Sequence, residues 1–455
     1  MPDGPGMRIV VTGASGNVGA GVLRALTAKE PDAEVVGVCR RPPGPVGVYE
    51  RVRWHAVDLS SPTAAAELAP AMQGADVVIH LALAIRPVTD RDYLFRANVL
   101  GTRAVLDAMT AAGVPQLIYA SSLGVYAPHP SGPVPEEWST AGQPRSTYSR
   151  HKVMAEHLLD DFEDRNPEVT VARFRPTVVV QREAASEIRS LYVGPLVPRA
   201  AFDLLRRGRL PVLPLPKGLA LQFVHADDVG DAVHRMLERR ARGSFNVAAD
   251  VLDSTALAGL IKARPIAVNA RLMRWMIGFL SRFRVIAVTG GWYLVATNSP
   301  LMDTSKARRE LDWEPSWSSI DSARELIDGL AEGVVGPTAA MGPQTGDVVD
   351  RRGGLEWMHD ITLGLWGLLS VVRATGHGRP GLPDAAVIAA NLVSGTPMAL
   401  TRVAQRRRDP VALAAPVAVA AALISARRGG WATVVTTAAL GMLAIADRRR
   451  IGARA

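Results

Sequence analysis

Tyr148 and Lys152 lie four residues apart in the run TYSRHK, a spacing that places both side chains on one face of a helix. A free phenol has a pKa of about 10, and a nearby ammonium lowers that value. The pair therefore has the residue types for proton exchange with an oxygen atom, with Lys152 stabilising the Tyr148 phenolate. Ser149 and His151, between them, are expected on the helix surface. Such a pair also occurs by chance in exposed helices, so its meaning depends on the segments that position it.

A glycine-rich turn near the start of the chain is the first of these segments. Residues 7–11 form an apolar, β-branched run that predicts a buried strand, and a helical pattern begins near Val18. Between them stands Gly-x-x-Gly-x-x-Gly, formed by Gly13, Gly16 and Gly19. Strand, glycine turn and helix together let the backbone approach a pyrophosphate, whose charge then lies at the helix N-terminus. A flexible turn without a ligand is the alternative.

The end of the second predicted strand bears on the choice of coenzyme. Residues 34–38 are followed by Cys39, Arg40 and Arg41. An NAD site usually places an acidic residue here, on the ribose 2′-hydroxyl. Two guanidiniums can instead pair with a 2′-phosphate. The segment favours NADP over NAD, unless both arginines are simply solvated loop charges.

Several further segments, in this order, resemble the landmarks of the extended short-chain dehydrogenase/reductases, the family of NAD-dependent epimerases and dehydratases. The resemblance covers about residues 7–330. The segments are the glycine turn, Val57-Asp58-Leu59, residues 80–84 (HLALA), 98–102 (NVLGT) and 119–126 (YASSLGVY), Tyr148 with Lys152, Arg175-Pro176, 223–229 (FVHADDV), 245–247 (FNV) and 303–311 (DTSKARREL).

The resemblance assigns roles to individual residues. It implies that Tyr148 exchanges a proton with a substrate hydroxyl or carbonyl and that Ser122 polarises that oxygen, with Ser121 as the neighbour that could be confused with it. Lys152 would bind the nicotinamide ribose and lower the pKa of Tyr148. The predicted NAD(P)-binding residues are Gly13, Ser15, Gly16, Asn17, Val18, Gly19, Arg40, Arg41, Asp58, Leu59, Leu81, Ala82, Asn98, Tyr148 and Lys152.

The substrate is less well specified. Sugar-nucleotide enzymes of this family follow Arg-Pro with an asparagine and a Tyr-Gly-Pro turn that seat the diphosphate, whereas residues 175–182 here read RPTVVVQR. Residues 272–283 carry an apolar helical stripe, which either faces a core or lines a groove for a lipid-like alcohol. The sequence favours an oxidoreductase acting on a secondary alcohol or ketone, with an apolar or membrane-borne substrate. A sugar-nucleotide epimerase or dehydratase and a noncatalytic NADP-sensing protein are the alternatives.

Composition limits the other classes of function. The 455 residues include one cysteine, Cys39, which excludes an internal disulfide framework and fits a reducing cytosol. The histidines have no metal-ligand spacing, and no metal is predicted. The short polar residues 1–6 do not form a secretory signal. Residues 351–455 contain 14 arginines and 5 acidic residues and so hold the whole net charge of +9. The remainder is neutral, which argues against nucleic acid as a partner.

Within the tail, arginine clusters alternate with uncharged apolar stretches at 361–372, 385–401, 411–426 and 429–446. A membrane span needs about 20 residues, with about 17 near the lower limit, so the last stretch qualifies and the second is borderline. If all four cross, eight arginines fall in inner loops and four in outer loops, the direction expected of cytoplasmic loops. A soluble helical appendage and a peripheral anchor are the alternatives. We expect a catalytic domain in the cytoplasm, attached through the tail to the inner face of the cell membrane.

These inferences define one domain plan. The fold class is α/β, with a Rossmann-type doubly wound parallel sheet, a smaller C-terminal substrate domain and an apolar helical tail. Residues 1–175 form the NAD(P)-binding domain, and 176–332 the substrate-binding part, with the chain crossing back near 223–250. A linker follows at 333–354, and the tail occupies 355–455. The expected partners are a small-molecule substrate and, as is typical of the family that the chain resembles, a second copy of the chain in a homodimer.

Overall fold

The structure is a computed structural model that describes residues 6–85, 91–129, 132–193, 199–209, 212–216, 218–269 and 298–342. The chain divides into two units, Met1–Thr345 and Gly346–Ala455. All described residues lie in the first. The apolar stripe at 272–283 and the four apolar stretches of the tail therefore lie outside the described residues.

The strands in chain order are β1 (Arg8–Thr12), β2 (Glu34–Cys39), β3 (Arg53–Ala56), β4 (Val77–His80), β5 (Gln116–Ala120), β6 (Pro133–Val134), β7 (Thr170–Pro176), β8 (Val178–Val180), β9 (Val212–Pro216), β10 (Ala220–His225), β11 (Gly243–Val247), β12 (Val251–Asp253), β13 (Arg264–Val268) and β14 (Leu301–Met302). Within the described residues, seven of them form one sheet in the order β11-β7-β5-β4-β1-β2-β3, and every pair in it is parallel. This confirms the predicted Rossmann-type fold.

The helices in chain order are α1 (Asn17–Lys29), α2 (Ala64–Met72), α3 (Arg91–Phe95), α4 (Gly101–Ala112), α5 (Thr147–Arg165), α6 (Ala185–Ile188), α7 (Arg199–Arg206), α8 (Ala226–Glu238), α9 (Ser254–Leu260), α10 (Ser305–Leu311) and α11 (Ser319–Glu332). Two apolar clusters cover the two faces of the sheet. One packs α1 and α8 against it, and the other packs α2, α4 and α5. Burial on both faces explains why β1, β4 and β5 are nearly continuous apolar runs.

Beyond β7 the chain alternates between the main sheet and smaller elements. β8 and β10 pair in parallel, with β12 on the other side of β10, and β13 pairs with β9. α8 then packs closely on α1, because a Cβ on Gly21 would stand 2.0 Å from the Ala226 carbonyl oxygen and one on Gly230 would stand 2.3 Å from that of Gly21. β11 returns the chain to the edge of the main sheet.

The predicted linker differs from the structure in its first part. Residues 336–342 pack back onto the first unit, where Thr338 donates its hydroxyl hydrogen bond to the Ser15 carbonyl oxygen at 2.7 Å and Met341 is buried in the core. α11 ends at Gly333, which caps it with a φ of 68°. The sequence pattern could not show that the Thr338 hydroxyl then binds this segment to the glycine turn, or that the Met341 side chain packs into the core. Residues 343–354 lie outside the described part.

The described residues contain neither a candidate membrane span nor a candidate metal site. None of their helices has the length and apolar character that a bilayer crossing requires. Nor do they contain a group of three or more His, Cys, Asp or Glu side chains placed to hold a metal ion.

Candidate active site

A cavity of about 720 Å³ opens at the carboxyl ends of the sheet strands. The loops after β1, β2, β4, β5 and β7 all contribute to its wall, joined by α6 and β10 from the smaller elements. In open parallel sheets, this edge is where ligands bind. The volume lies in the range usual for sites that bind small molecules and cofactors.

The glycine turn after β1 is shaped by backbone contacts that a side chain would prevent. Gly13 has a φ of 72°, and a Cβ on it would stand 2.7 Å from the Ala82 nitrogen. A Cβ on Gly19 would stand 2.4 Å from the carbonyl oxygen of Ala14. α1 begins directly after Gly16, which makes no side-chain capping bond. The turn thus brings the N-terminus of α1 to the cavity with its amides uncapped by a side chain, the arrangement that suits a pyrophosphate.

Ser122 and Tyr148 meet at the end of β5. The Ser122 hydroxyl accepts a hydrogen bond from the Gly124 amide at 3.0 Å, and it is also hydrogen-bonded to the Tyr148 hydroxyl. Gly124 is required by the close approach, because a Cβ there would lie 2.9 Å from Cε1 of Tyr148. Ser149 fixes the same turn, since its hydroxyl donates to the Gly124 carbonyl oxygen at 2.6 Å. Ser149 and His151 are buried, so their predicted placement on the helix surface is wrong.

The pKa of Tyr148 is shifted in the opposite direction to the one that the sequence suggested. Burial raises the pKa of this phenol to about 12, while the Ser122 hydrogen bond acts to lower it. The expectation of a lowered pKa is therefore wrong for this structure. Desolvation of the phenolate outweighs the stabilising contact. Tyr148 is protonated, and hence a proton donor, at neutral pH.

Lys152 is buried one helical turn beyond Tyr148. Its Nζ donates to the Ala120 carbonyl oxygen at 2.6 Å and to the Tyr119 hydroxyl at 3.4 Å. Burial lowers the pKa of Lys152 to about 7, and the charge of Glu156 opposes that shift. An ammonium has three donors, so these two bonds leave one N–H for a further acceptor.

A buried ionic network stands behind the three residues. Glu156, a further turn along α5, receives two hydrogen bonds from Arg175 of β7, at 2.9 and 2.6 Å, and one from the Ser121 hydroxyl. Arg175 also donates to the Tyr126 hydroxyl at 3.0 Å, and Tyr126 donates to Asn246 at 2.6 Å. These bonds tie the helix that carries Tyr148 and Lys152 to β7 and β11. Ser121 belongs to this network, which separates its role from that of Ser122.

The structure brings nearly all the predicted site residues to the one cavity. The residues that line it as predicted are Gly13, Ser15, Gly16, Asn17, Val18, Gly19, Arg40, Arg41, Asp58, Leu59, Leu81, Ala82, Ser122, Tyr148 and Lys152. Asn98 is different. Its amide bonds both backbone groups of Ala84, at 2.7 and 3.1 Å, and so holds the loop after β4 rather than lining the wall.

Thr177, Glu187, Tyr192 and Ser299 are among the polar lining residues that were not identified from the sequence. Thr177 follows the Arg-Pro pair directly, so its position after a known landmark was the one available signal. The other three lie on segments with neither a motif nor a regular period.

Comparisons with known proteins show the family of the chain. The model of the NAD dependent epimerase/dehydratase family matches residues 9–248, more than half of the chain. The chain belongs to this family. Relatives that the chain resembles are named as epimerases and dehydrogenases.

Individual relatives within the family differ in reaction. The chain is 28% identical over 355 residues to the 3 beta-hydroxysteroid dehydrogenase type 7 of Homo sapiens, covering 70% of the chain and 94% of that protein. It is 30% identical over 189 residues to sterol demethylase protein B of Methylococcus capsulatus, covering 38% and 55%. The UDP-glucose 4-epimerase structure from Thermotoga maritima shares the fold, with a TM-score of 0.52 at 18% identity over 72% of this chain and all of that one. The chain spans only about half the length of several curated relatives, 43% to 61%.

Proposed function

We propose that this enzyme is an NAD(P)-dependent oxidoreductase that interconverts a secondary alcohol and a ketone on an apolar substrate. Ser122, Tyr148 and Lys152 are its catalytic residues. The observation that carries the choice of substrate is the character of the cavity on the side of α6 and β10.

That side of the cavity is lined mainly by apolar side chains. They include Val178, Ile188, Leu191, Leu221, Phe223 and Leu326. Among the described lining residues, the cations are Arg40 and Arg41, after β2, and Lys152. Cations commonly pair with the phosphates of a nucleoside diphosphate, and the described lining residues provide no cation on this side. A neutral, apolar molecule suits it better. Two relatives named for steroid or sterol enzymes support the same choice.

The proposed coenzyme site uses the ends of the strands. The glycine turn and the N-terminus of α1 would hold the pyrophosphate, and the free donor of Lys152 would hold the nicotinamide ribose. Arg40 and Arg41 line the cavity after β2 and would bind a 2′-phosphate, which is why we favour NADP. When bound, the nicotinamide supplies or accepts a hydride.

Residues of the chain would transfer the proton that accompanies the hydride. In the reducing direction, the protonated Tyr148 donates its proton to the carbonyl oxygen as the carbon receives the hydride. Ser122, hydrogen-bonded to Tyr148, polarises the same oxygen. In the oxidising direction Tyr148 must first lose its proton, so its raised pKa leaves little of the enzyme in the form that oxidises at neutral pH. Lys152 orients the coenzyme and supports this proton transfer.

The test is to assay the full chain with NADPH and a panel of apolar cyclic ketones, following the absorbance of NADPH. Stoichiometric loss of NADPH with formation of the secondary alcohol supports the proposal. If every ketone in the panel is left unchanged and NADPH is not consumed, the proposal fails.

A sugar-nucleotide epimerase or dehydratase is the second candidate. It is supported by a relative of that kind, the UDP-glucose 4-epimerase of Yersinia pestis, which is 31% identical over 150 residues and of which the match covers 43%. It is opposed by Thr177 and the residues after it, which replace the diphosphate-seating turn. Conversion of a UDP-sugar with no net change in coenzyme absorbance would favour this candidate over the first.

We also propose that the arginine-rich tail attaches the enzyme to the inner face of the cell membrane, which would give it access to a membrane-borne substrate. Fractionation of cells that express the full chain tests this. Retention in the membrane pellet after carbonate extraction supports insertion of the tail, and release by high salt supports surface binding. Recovery of the full chain in the soluble fraction at low salt would reject attachment.

A further inference from the structure

Three lining residues of the cavity hold buried oxygen atoms without a hydrogen-bond partner among the described residues. They are Oγ1 of Thr177, Oε2 of Glu187 and Oγ of Ser299. A buried polar atom left unpaired costs about 1–3 kcal/mol, and folded proteins seldom leave several together. These atoms come from three separate segments: the end of β7, the short helix α6 and the residues before β14. Their common placement on one cavity indicates that a ligand supplies the missing partners.

Glu187 is the most informative of the three. It lies on α6 among apolar lining residues such as Ile188 and Leu191. The phenol of Tyr192 interacts electrostatically with both Glu187 and Tyr148, so the carboxyl lies near the catalytic end of the cavity. No described cation pairs with it, since burial alone accounts for the rise of its pKa to about 7. At pH 7 about half of this carboxyl is therefore protonated, a form that donates as well as accepts a hydrogen bond.

We infer that Glu187, with Thr177 and Ser299, forms a polar subsite for a second oxygen of the substrate, a hydroxyl or keto group remote from the reacting carbon. This inference rests on the proposed function and deepens it. The substrate class is a neutral, largely apolar molecule with two oxygen functions. One oxygen is placed at Ser122 and Tyr148 and the other at Glu187. A phosphate or carboxylate in that position would face the Glu187 carboxyl without a described cation to balance it.

The experiment compares two rigid apolar ketones that differ by one remote oxygen, 5α-androstan-3-one and 5α-androstane-3,17-dione. Equilibrium dialysis of the full chain, saturated with NADP, gives the Kd of each ligand. The variants are Glu187→Leu, which removes the polar group, and Glu187→Gln, which keeps an amide of similar size. Ser186→Ala, on the same helix and outside the cavity wall, is the matched control.

We expect Glu187→Leu to reduce the preference for the dione, measured as the ratio of the two Kd values, by about tenfold, the worth of one hydrogen bond. Glu187→Gln and Ser186→Ala should leave that ratio within about threefold of wild type. Removal of an unpaired carboxyl should also leave the thermal midpoint of Glu187→Leu at or above that of wild type.

Three results would overturn the inference: an unchanged ratio in Glu187→Leu, a lowered midpoint or failure of that variant to fold, and no binding of either ketone to the wild type. Selective binding of the dione without NADPH consumption in the parallel assay would reject the proposed function and leave the subsite in place. Turnover of both ketones, with an unchanged ratio of the two Kd values in Glu187→Leu, would reject the subsite and leave the proposed function in place.

Discussion

Arg175 donates from Nε and Nη2 to the two carboxylate oxygens of Glu156, at 2.9 and 2.6 Å, one helical turn beyond Lys152. Both side chains are only 5% exposed. The pair fixes α5 against β7, and so it fixes the helix that carries Tyr148 and Lys152, two of the three proposed catalytic residues. Its arrangement is bidentate, which an arginine can adopt and a lysine cannot.

Removal of one partner should therefore destabilise the fold strongly. We predict that Arg175→Met lowers the free energy of unfolding by about 3–5 kcal/mol, because it leaves the Glu156 charge buried and unpaired. Arg175→Lys should have a smaller effect, since it keeps the charge. Arg324→Met is the control, because Arg324 and Asp321 form a surface pair that is 53% and 51% exposed. Thermal unfolding of the three variants measures the difference, and equal midpoints for Arg175→Met and Arg324→Met would contradict it.

Gly124 should be essential for turnover although it carries no chemistry. A Cβ at this position would stand 2.9 Å from the ring of Tyr148 and must displace it. We predict that Gly124→Ala lowers kcat by about 10²-fold, the cost of a misplaced reacting group. Gly259→Ala is the matched control, because that position has nothing within 4 Å of the added Cβ. Steady-state kinetics on both variants decide the point, and equal kcat values would show that the ring is not held by this contact.

The proposed preference for NADP depends on Arg40 and Arg41. If they bind a 2′-phosphate, the double variant Arg40→Ala/Arg41→Ala should raise the KM for NADPH by about tenfold or more and leave that for NADH nearly unchanged. Arg51 and Arg145, both exposed and outside the cavity wall, provide a control of equal charge loss as Arg51→Ala/Arg145→Ala. A parallel rise in the KM values for NADPH and NADH would indicate that the two arginines do not bind the 2′-phosphate.

His80 should make stability depend on pH. Its ring is buried between the hydroxyls of Thr12 and Thr102, at 2.6 and 3.0 Å, and burial lowers its pKa from 6.5 to about 3. Between these values the unfolded chain binds a proton and the folded chain does not. Stability is therefore lost as the pH falls from about 6.5 towards about 3, by about 1.4 kcal/mol per unit at most.

The comparison of wild type with His80→Gln isolates this effect. Between pH 6.5 and pH 5, urea unfolding should show that the wild type loses about 2 kcal/mol more than the variant. The other titrating groups are common to both proteins and cancel in the difference. Equal losses in the two proteins would mean that His80 is protonated in the folded state.

The sequence specified the parts of this site that are set by local constraints. The glycine turn could be predicted from its spacing, because Gly13 and Gly19 lie against backbone atoms that leave no room for a side chain. That Tyr148 and Lys152 share one face of a helix could be predicted because they are four residues apart. The order of the landmark segments then fixed the sheet.

Features that depend on tertiary packing were not predictable in the same way. The sequence shows an ammonium near Tyr148 but not the burial that raises its pKa. Asn98 supports a loop through Ala84, a contact that no spacing encodes. Glu187 lies on a four-residue helix, too short for any period, and reaches the cavity because the smaller elements fold over the edge of the sheet.

The central claim is that the phenol of Tyr148 moves the proton in the reaction, and Tyr148→Phe tests it most directly. Tyr49→Phe is the control, since it removes another buried phenol, one that lies outside the cavity wall and has no hydrogen-bond partner among the described residues. The measurement is kcat with NADPH and a reducible ketone, together with the Kd for NADPH. We predict that Tyr148→Phe lowers kcat by about 10²–10⁴-fold with the Kd for NADPH nearly unchanged, whereas Tyr49→Phe retains most of its activity. Near-normal kcat in Tyr148→Phe would contradict the account.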